Sequence, residues 1–121
     1  MPLSTLNPLA VGLRAPDFAL RDQNGVEVTL SGLTTEKNVV IVFYPFAFSG
    51  ICTGELDEIR DHLERFVSDD LQVVCISSDP VFSQRAWADQ QGYFFPLLSD
   101  FWPHGAVAQA FVVAQSLPNM F

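Results

Sequence analysis

Residues 39–66 read VVIVFYPFAFSGICTGELDEIRDHLERF, and this stretch decides the fold. Its opening run, Val39 to Tyr44, is apolar and largely β-branched, which is typical of a strand buried on both faces of a sheet. Pro45 ends the strand, because proline cannot donate a hydrogen bond to a neighbouring strand. A helix is predicted next, since one helix face collects the apolar residues Cys52, Leu56, Ile59, Leu63 and Phe66. The stretch is therefore a strand–helix unit with Cys52 in the first helical turn.

The flanking sequence continues this alternation of strand and helix patterns. Before the unit, residues 17–30 predict a hairpin, because alternating apolar residues surround the turn signal Asn24-Gly25. The unit is followed by a buried strand from Leu71 to Ile76. A helix to about Gln91 comes next, for which Ser78-Asp79 supplies the cap and Pro80 the first helical position, and Gly92 closes it. A short strand from Phe95 to Leu98 and a helix over roughly His104 to Val112 complete the pattern, and Asp100 or Trp102, with Pro103, opens this last helix. Strands that alternate with helices indicate a parallel sheet flanked by helices, so the predicted fold class is α/β.

Composition argues against several classes of function. Six Lys and Arg against fourteen Asp and Glu give a formal net charge of -8, which disfavours nucleic acids and anionic membrane surfaces as partners. The most apolar stretch, residues 39–48, is about half of a membrane span, and residues 1–10 do not resemble a signal peptide. We therefore expect a soluble, cytoplasmic protein in a reducing compartment, where cysteines are free thiols. No glycine-rich phosphate loop follows any predicted strand.

Cys52 is the residue with the clearest chemical potential. Helix N-termini stabilise a thiolate through unpaired N–H groups and the helix dipole, which lowers the thiol pKa below about 8.5. Ser49 lies three residues earlier and can donate a hydrogen bond to the thiolate or to an incoming oxygen, while Pro45 can wall the pocket without adding a donor. These features leave two interpretations open: a reactive thiol, or an inert cysteine buried in a helix.

The stretch from Pro45 to Cys52 resembles the peroxiredoxin active-site motif, Pro-x-x-x-Thr/Ser-x-x-Cys. The resemblance covers about residues 11–112 and is strongest to the one-cysteine, alkyl hydroperoxide reductase E type. Further matching segments are Ala15-Pro16-Asp17-Phe18-Ala19-Leu20, Gly50 to Leu63, Ile76-Ser77-Ser78-Asp79 and Phe95 to Ala110, which includes Ser99-Asp100-Phe101-Trp102-Pro103-His104-Gly105-Ala106-Val107.

This resemblance implies a thioredoxin-like fold with an N-terminal β-hairpin, and a thiol peroxidase that needs no metal or organic cofactor. Cys52 would attack the hydroperoxide and become a sulfenic acid, and Ser49 would hold the peroxide oxygens. The backbone N–H groups of Ile51 and Cys52 would stabilise charge on the leaving oxygen. Pro45 would shield the sulfur from water, and Glu55 would belong to the supporting hydrogen-bond network.

The resemblance also bears on the reductant. Cys75 lies in the middle of a predicted strand, where free cysteine packs as a small apolar residue. We therefore expect Cys75 to be an unreactive core residue and not a resolving thiol. An external thiol would then reduce the sulfenic acid, either a small thiol or a glutaredoxin- or thioredoxin-like protein.

The remaining candidates are weaker. Phe46, Phe48 and Trp102 are candidates for an apolar substrate mouth that favours organic peroxides, although packing in the core or between subunits explains them as well. The other polar candidates are interpreted as surface, cap or packing residues: His62, His104, Arg14 and Arg85. With two histidines and no close Cys/His/Asp cluster in the sequence, a metal site is not predicted.

The predicted domain organisation is an N-terminal extension over residues 1–10, an incomplete thioredoxin-like peroxiredoxin domain over 11–112, and a divergent tail over 113–121. We expect the last strands and the C-terminal helix of the family to be missing, together with its active-site arginine, since no arginine follows Arg85. The strand Val39 to Tyr44 would then form an exposed edge, so we expect either marginal stability or self-association into a homo-oligomer that covers this edge.

Three functions follow from these expectations. The first is a thiol-dependent hydroperoxide reductase. The second is a truncated, weakly active fragment that acts as a redox-responsive or partner-binding module, which the expected loss of the arginine favours. The third is a disulfide oxidoreductase of the same fold, but its Cys-x-x-Cys pair is absent because Glu55 stands three residues after Cys52.

Overall fold

Strands and helices alternate along the chain in the computed structural model. It describes residues 12–48, 50–102 and 105–111, and of Ile51 and Cys52 it describes the backbone alone. The elements are β1 (Ala19–Arg21), β2 (Glu27–Thr29), α1 (Leu30–Thr34), β3 (Asn38–Phe43), α2 (Gly50–Asp61), a 3₁₀ turn (Leu63–Arg65), β4 (Leu71–Ser77), α3 (Val81–Gln91), β5 (Leu97–Ser99) and α4 (Ala106–Ala110). The predicted alternation from β3 to α4 is confirmed, but the short helix α1 is not predicted by the sequence pattern. Leu30, which is expected in the hairpin, is the first residue of this helix, because the Thr29 side chain caps it by accepting from the Gly32 N–H. Ser49, Pro103, His104, the extension 1–10 and the tail 113–121 lie outside the described residues.

The described strands form one five-stranded sheet in the order β2-β1-β5-β4-β3. β3, β4 and β5 run parallel, as strands joined by crossover helices do, whereas the hairpin strand β1 pairs antiparallel with β5 through Arg21 and Ser99. Because the three parallel strands point the same way, the segments that follow them meet at one edge of the sheet. This edge holds the start of α2 after β3, and the start of α3 after β4.

The strand β3 differs from the sequence-based prediction in one respect. Its apolar run predicts burial on both faces, yet its side chains are mostly half-buried. In the described part of the chain β3 pairs with β4 alone, so the expected edge position of this strand is confirmed there. Val40 and Val42 pack on one side of the sheet and Val39, Ile41 and Phe43 on the other. The apolar pattern thus reports what covers the two faces and carries no information on whether a strand pairs along both of its edges.

The core lies on both faces of the sheet, and β4 divides it. Val73 and Cys75 point into a cluster with α2 and α3, while Val74 and Ile76 point into a cluster with the hairpin and the helices α1 and α4. All four side chains are fully buried. This alternation follows from the period of two along a strand, and it places α2 and α3 on the same face.

Several boundaries differ from prediction, and β5 and α4 begin later than expected, at Leu97 and Ala106. The hairpin closes through the five residues between Arg21 and Glu27, in which Gly25 has a positive φ of 79° and Asn24 does not, so the turn is not the two-residue type. α2 ends at Asp61 and continues as a 3₁₀ turn, although Leu63 and Phe66 still pack against the core as their spacing predicts. In the described residues, no helix is long and apolar enough to cross a membrane.

Candidate active site

The backbone of Cys52 lies in the first turn of α2, where the helix pattern predicts it. α2 begins at Gly50, after β3 ends at Phe43. The first turn contains no acidic side chain, so the positive end of the helix dipole is not neutralised by a carboxylate of its own turn. Helix N-termini favour anions through the dipole and the unpaired N–H groups, so the backbone of this turn suits an anionic group, and the thiolate of Cys52 stays a prediction. Ser49 and the side chain of Cys52 lie outside the described part.

The loop between β3 and α2 has a strained backbone. Phe48 adopts a positive φ of 64°, which is uncommon for a residue other than glycine, asparagine or aspartate and costs conformational energy. Pro45 is half-buried at the start of this loop, and Ala47 is buried. A strained residue persists only where surrounding contacts hold it, so the contacts of this loop matter for the position of Cys52.

Asp79 provides one of these contacts. Its Oδ2 accepts a hydrogen bond of 2.7 Å from the backbone N–H of Ala47, and one of 2.6 Å from the hydroxyl of Ser77 at the end of β4. The sequence-based prediction that Ser78 and Asp79 cap the next helix is wrong. Pro80 is the N-cap of α3, and its side chain has no atom that could accept a cap hydrogen bond. The Asp79 carboxylate faces the loop before α2 instead.

A buried polar cluster continues from Ser77 into the core. The Nε2 amide group of Gln84 lies 2.9 Å from Ser77 Oγ, 3.2 Å from the hydroxyl oxygen of Tyr44 and 2.9 Å from the carbonyl oxygen of Leu98. Burial raises the pKa of Tyr44 well above its usual range, so its hydroxyl stays neutral. Sequence reasoning missed this cluster, although Gln84 shares a helix face with Trp87 and Ala88 and is the polar member of that apolar face.

Aromatic rings pack beneath the loop and α2. The indole of Trp87 lies 6.1 Å from the ring of Phe48, 5.4 Å from Tyr44 and 5.1 Å from Tyr93, measured between ring centroids. Trp87 is completely buried, whereas Phe48 is 53% exposed. Phe48 therefore has one side against the core and the other toward solvent, which suits a residue beside a pocket entrance.

The other predicted mouth residues are also at the surface. Phe46 is exposed in the same loop, and Trp102 is exposed beside Phe82 and Phe101. These last three residues line a groove of about 760 Å³ between the hairpin and the start of α3. Glu55 is exposed on α2. The substrate-mouth role of the aromatic residues and the supporting role of Glu55 stay predictions.

Cys75 is inert core, as predicted. Its side chain is fully buried in the middle of β4, and burial raises the pKa of its thiol to about 12. Because the thiolate is the nucleophilic form, a thiol with this pKa does not react near neutral pH.

The charged candidates are surface residues, as predicted. Arg14 and Arg85 are exposed, and Arg85 pairs with Asp89 at 3.5 Å. His62 is partly exposed at 3.7 Å from the Glu58 carboxylate. Such exposed pairs add little to stability.

The fold and the position of Cys52 together define a class of protein. A sheet with a parallel core, an added N-terminal hairpin and a cysteine at the N-terminus of the helix after β3 is the arrangement of a thioredoxin-like thiol redox protein. The chain belongs to the AhpC/TSA family, whose family model matches residues 11–121. This match runs through residue 112, so the domain boundary placed there stays a prediction.

Individual relatives support the same assignment. The chain is 58% identical to alkyl hydroperoxide reductase E of Mycobacterium tuberculosis H37Rv over 105 aligned residues. The alignment covers 87% of this chain and 69% of that protein. The predicted family is thus confirmed, and its class is the thiol-dependent peroxidases.

Solved structures agree with the predicted fold. Peroxidoxin BcpB from Mycobacterium tuberculosis superimposes with a TM-score of 0.73 at 37% identity, over 88% of this chain and 64% of that one. Peroxiredoxin Q of Xanthomonas campestris gives a TM-score of 0.71 at 30% identity, over 78% of this chain and 58% of that one. The chain therefore spans less than two thirds of the length of these two solved relatives.

Proposed function

We propose that this chain reduces hydrogen peroxide and organic hydroperoxides with Cys52 as the nucleophile. The observation that carries the proposal is the place of the Cys52 backbone in the first turn of α2, a turn free of acidic side chains. In the reaction, the thiolate sulfur gives an electron pair to the terminal peroxide oxygen and the O–O bond breaks. The alkoxide or hydroxide leaves and takes up a proton, and Cys52 becomes a sulfenic acid.

Neighbouring residues of the motif have supporting roles in this proposal. The hydroxyl of Ser49 holds the peroxide, and the backbone N–H groups of Ile51 and Cys52 face the charge that develops on the leaving oxygen. Pro45 limits the access of water to the sulfur, and Glu55 supports the hydrogen-bond network. The aromatic mouth of Phe46, Phe48 and Trp102 favours organic peroxides over hydrogen peroxide.

Regeneration of the thiol requires an external reductant. Since Cys75 is buried in the sheet, the sulfenic acid is attacked by a thiol from outside the chain, which releases water and forms a mixed disulfide. A second external thiol then releases Cys52 and leaves with the first as a disulfide. A small thiol or a glutaredoxin- or thioredoxin-like protein can serve, and both operate in a reducing compartment such as the cytoplasm.

A homo-oligomer is part of the proposal. Phe82 and Phe101 expose large apolar surfaces beside one groove, and exposed apolar patches of this kind favour association between protein chains. Light scattering after size-exclusion chromatography tests this point: a mass that is a multiple of 13.4 kDa supports it, and a monomer at all concentrations contradicts it.

Stopped-flow oxidation of the reduced protein tests the peroxidase proposal. Hydrogen peroxide and an organic hydroperoxide are each mixed with the wild type and with Cys52→Ser. We expect fast consumption of peroxide that requires Cys52. A rate no higher than that of free cysteine would contradict the proposal and would favour the redox-responsive module.

A further inference from the structure

We infer that Asp79 is a positioning residue for Cys52: its carboxylate holds the loop that precedes α2, and through this loop it sets the first turn of the helix. The inference rests on the proposed function, because it concerns the same thiol. Asp79 lies 27 positions after Cys52 in the sequence, two residues beyond the end of β4 at Ser77. It touches neither the peroxide nor the sulfur in this scheme and acts through the backbone of Ala47.

The two contacts of the carboxylate converge on one oxygen. Oδ2 accepts from the Ala47 N–H at 2.7 Å and from the Ser77 hydroxyl at 2.6 Å. Hydrogen bonds to an ionised acceptor are shorter and roughly twice as strong as those between neutral groups. The loop is therefore bound to the end of β4 by a charge-assisted hydrogen bond.

Asp79 is itself held by the ends of two strands. Its backbone N–H donates to Ser77 Oγ at 3.3 Å, and its carbonyl oxygen accepts from the hydroxyl of Ser99 in β5 at 2.6 Å. Ser77 is buried, and its hydroxyl oxygen also lies within hydrogen-bond distance of Gln84. The backbone of Asp79 is therefore held in place by the sheet, so its carboxylate can in turn hold the loop at Ala47.

Loss of the hydrogen bond between Ala47 and Asp79 would allow the strained loop to change its conformation. Phe48 follows Ala47 directly and has a positive φ of 64°, which is a strained conformation for phenylalanine. Without the hydrogen bond from Ala47, Phe48 can relax to a negative φ, and such a change redirects the chain just before Gly50, where α2 begins. The first turn of α2, which carries the backbone of Cys52, would then change its direction relative to β3.

A merely structural role for Asp79 predicts a different result. In that case its loss lowers the stability of the fold and leaves the thiol unchanged. The decisive measurement is therefore the pKa of Cys52, from thiolate absorbance with the matching Cys52→Ser protein as the blank, together with the rate of oxidation by hydrogen peroxide.

The experiment compares Asp79→Asn with Asp79→Ala in the full chain. Both variants remove the negative charge, but only the alanine removes the oxygen that accepts from Ala47. We expect Asp79→Asn to stay within about threefold of the wild-type rate, because a neutral amide oxygen still accepts the hydrogen bond. Asp79→Ala should be about tenfold slower than Asp79→Asn, with its Cys52 pKa raised toward the unperturbed value of about 8.5.

Asp22 provides a matched control. Its Oδ1 accepts from the backbone N–H groups of Asn24 and Val26 at 2.9 and 3.0 Å, so it holds a loop in the same way, but in the hairpin turn. Asp22→Ala should lower thermal stability and leave both the Cys52 pKa and the oxidation rate within about twofold of the wild type.

The inference is overturned if Asp79→Ala and Asp79→Asn have the same oxidation rate and the same Cys52 pKa. It is also overturned if Asp22→Ala changes the oxidation rate and the Cys52 pKa as much as Asp79→Ala does. Should Asp79→Ala fail to fold, amide hydrogen exchange of wild-type Ala47 decides. Slow exchange supports the inference, and exchange as fast as in an unprotected loop contradicts it. A wild type that does not react with peroxide contradicts the proposed function, while the pKa comparison still tests the role of Asp79.

Discussion

The hydroxyl of Tyr93 donates a hydrogen bond of 2.6 Å to the Asp57 carboxylate, and this contact joins the segment after α3 to the middle of α2. The hydroxyl also lies 3.3 Å from the carbonyl oxygen of Thr53 in the first turn of that helix. Burial, and then the hydrogen bond to Asp57, raise the pKa of Tyr93 well above its usual range. Tyr93 therefore remains a neutral donor, and its hydrogen bond to Asp57 holds α2 to the segment after α3.

Removal of this hydroxyl should destabilise the fold. Tyr93→Phe keeps the ring in its contacts with Trp87 and Phe95 and deletes the donor. We expect a loss of about 1–3 kcal/mol in the free energy of unfolding, because the bond is to a charged acceptor. Urea denaturation of Tyr93→Phe, Asp57→Ala and the double variant measures the coupling between the two residues. Losses that simply add in the double variant would show that the pair is not coupled.

Alkaline pH should weaken the fold through Cys75. Its thiol pKa rises from 9.0 to about 12 on burial, so between these values the unfolded chain has lost a proton that the folded chain retains. The free energy of unfolding therefore falls as pH rises, by up to about 1.4 kcal/mol per pH unit for this group. We expect urea denaturation between about pH 8 and about pH 11 to show that the free energy of unfolding declines less steeply with pH for Cys75→Ala than for the wild type.

Val74→Ala is the matched control for this pH dependence. Val74 is the adjacent fully buried residue of β4, so its truncation also leaves a cavity, but it removes no titrating group. Its free energy of unfolding should be lower at every pH and should decline in parallel with that of the wild type. A decline for Cys75→Ala as steep as that of Val74→Ala would show that the Cys75 thiol does not titrate differently in the two states.

The buried amide of Gln84 should contribute strongly to the stability of the fold. Gln84→Met keeps the length of the side chain and removes the donor that faces Ser77, Tyr44 and the Leu98 carbonyl. Buried partners without a hydrogen bond each cost about 1–3 kcal/mol, so we expect a loss of at least about 2 kcal/mol in the free energy of unfolding. Gln90→Met, an exposed position of α3, should stay within about 0.5 kcal/mol of the wild type in the same urea titration. Equal effects at the two positions would contradict the importance of the buried cluster.

Much of the local structure was predictable from the sequence. The alternation of apolar positions gives the strands, and the spacing of Leu56 and Ile59 gives the inner face of α2, where both residues are buried. Gly92 closes α3 with a φ of 74°, as its position predicts. These features depend on the periodicity and conformational preference of neighbouring residues, which the sequence contains directly.

The motif around Cys52 also indicates the family from local sequence alone. Pro45, Ser49 and Cys52 have the spacing of the peroxiredoxin motif, and the match of residues 11–121 to the family confirms this interpretation. A motif of this kind lies in one short segment because its members share one loop and one helix turn.

Other features required the tertiary structure. Asp79 is predicted from the sequence to cap a helix, but the parallel pairing of β3 with β4 brings it beside Ala47, 32 positions earlier, where its carboxylate has a better partner. The positive φ of Phe48 and the buried partners of Gln84 are likewise products of packing.

The sequence by itself therefore determined the alternation of strands and helices from β3 to α4, the helix that begins beside Cys52, and the family, but not the short helix α1. Only the tertiary structure decided which distant groups support that helix from the ends of β4 and β5. The physical reason is that periodicity and turn preference act over a few neighbouring residues, whereas a hydrogen bond such as that from Ala47 to Asp79 depends on how strands pair across the sheet.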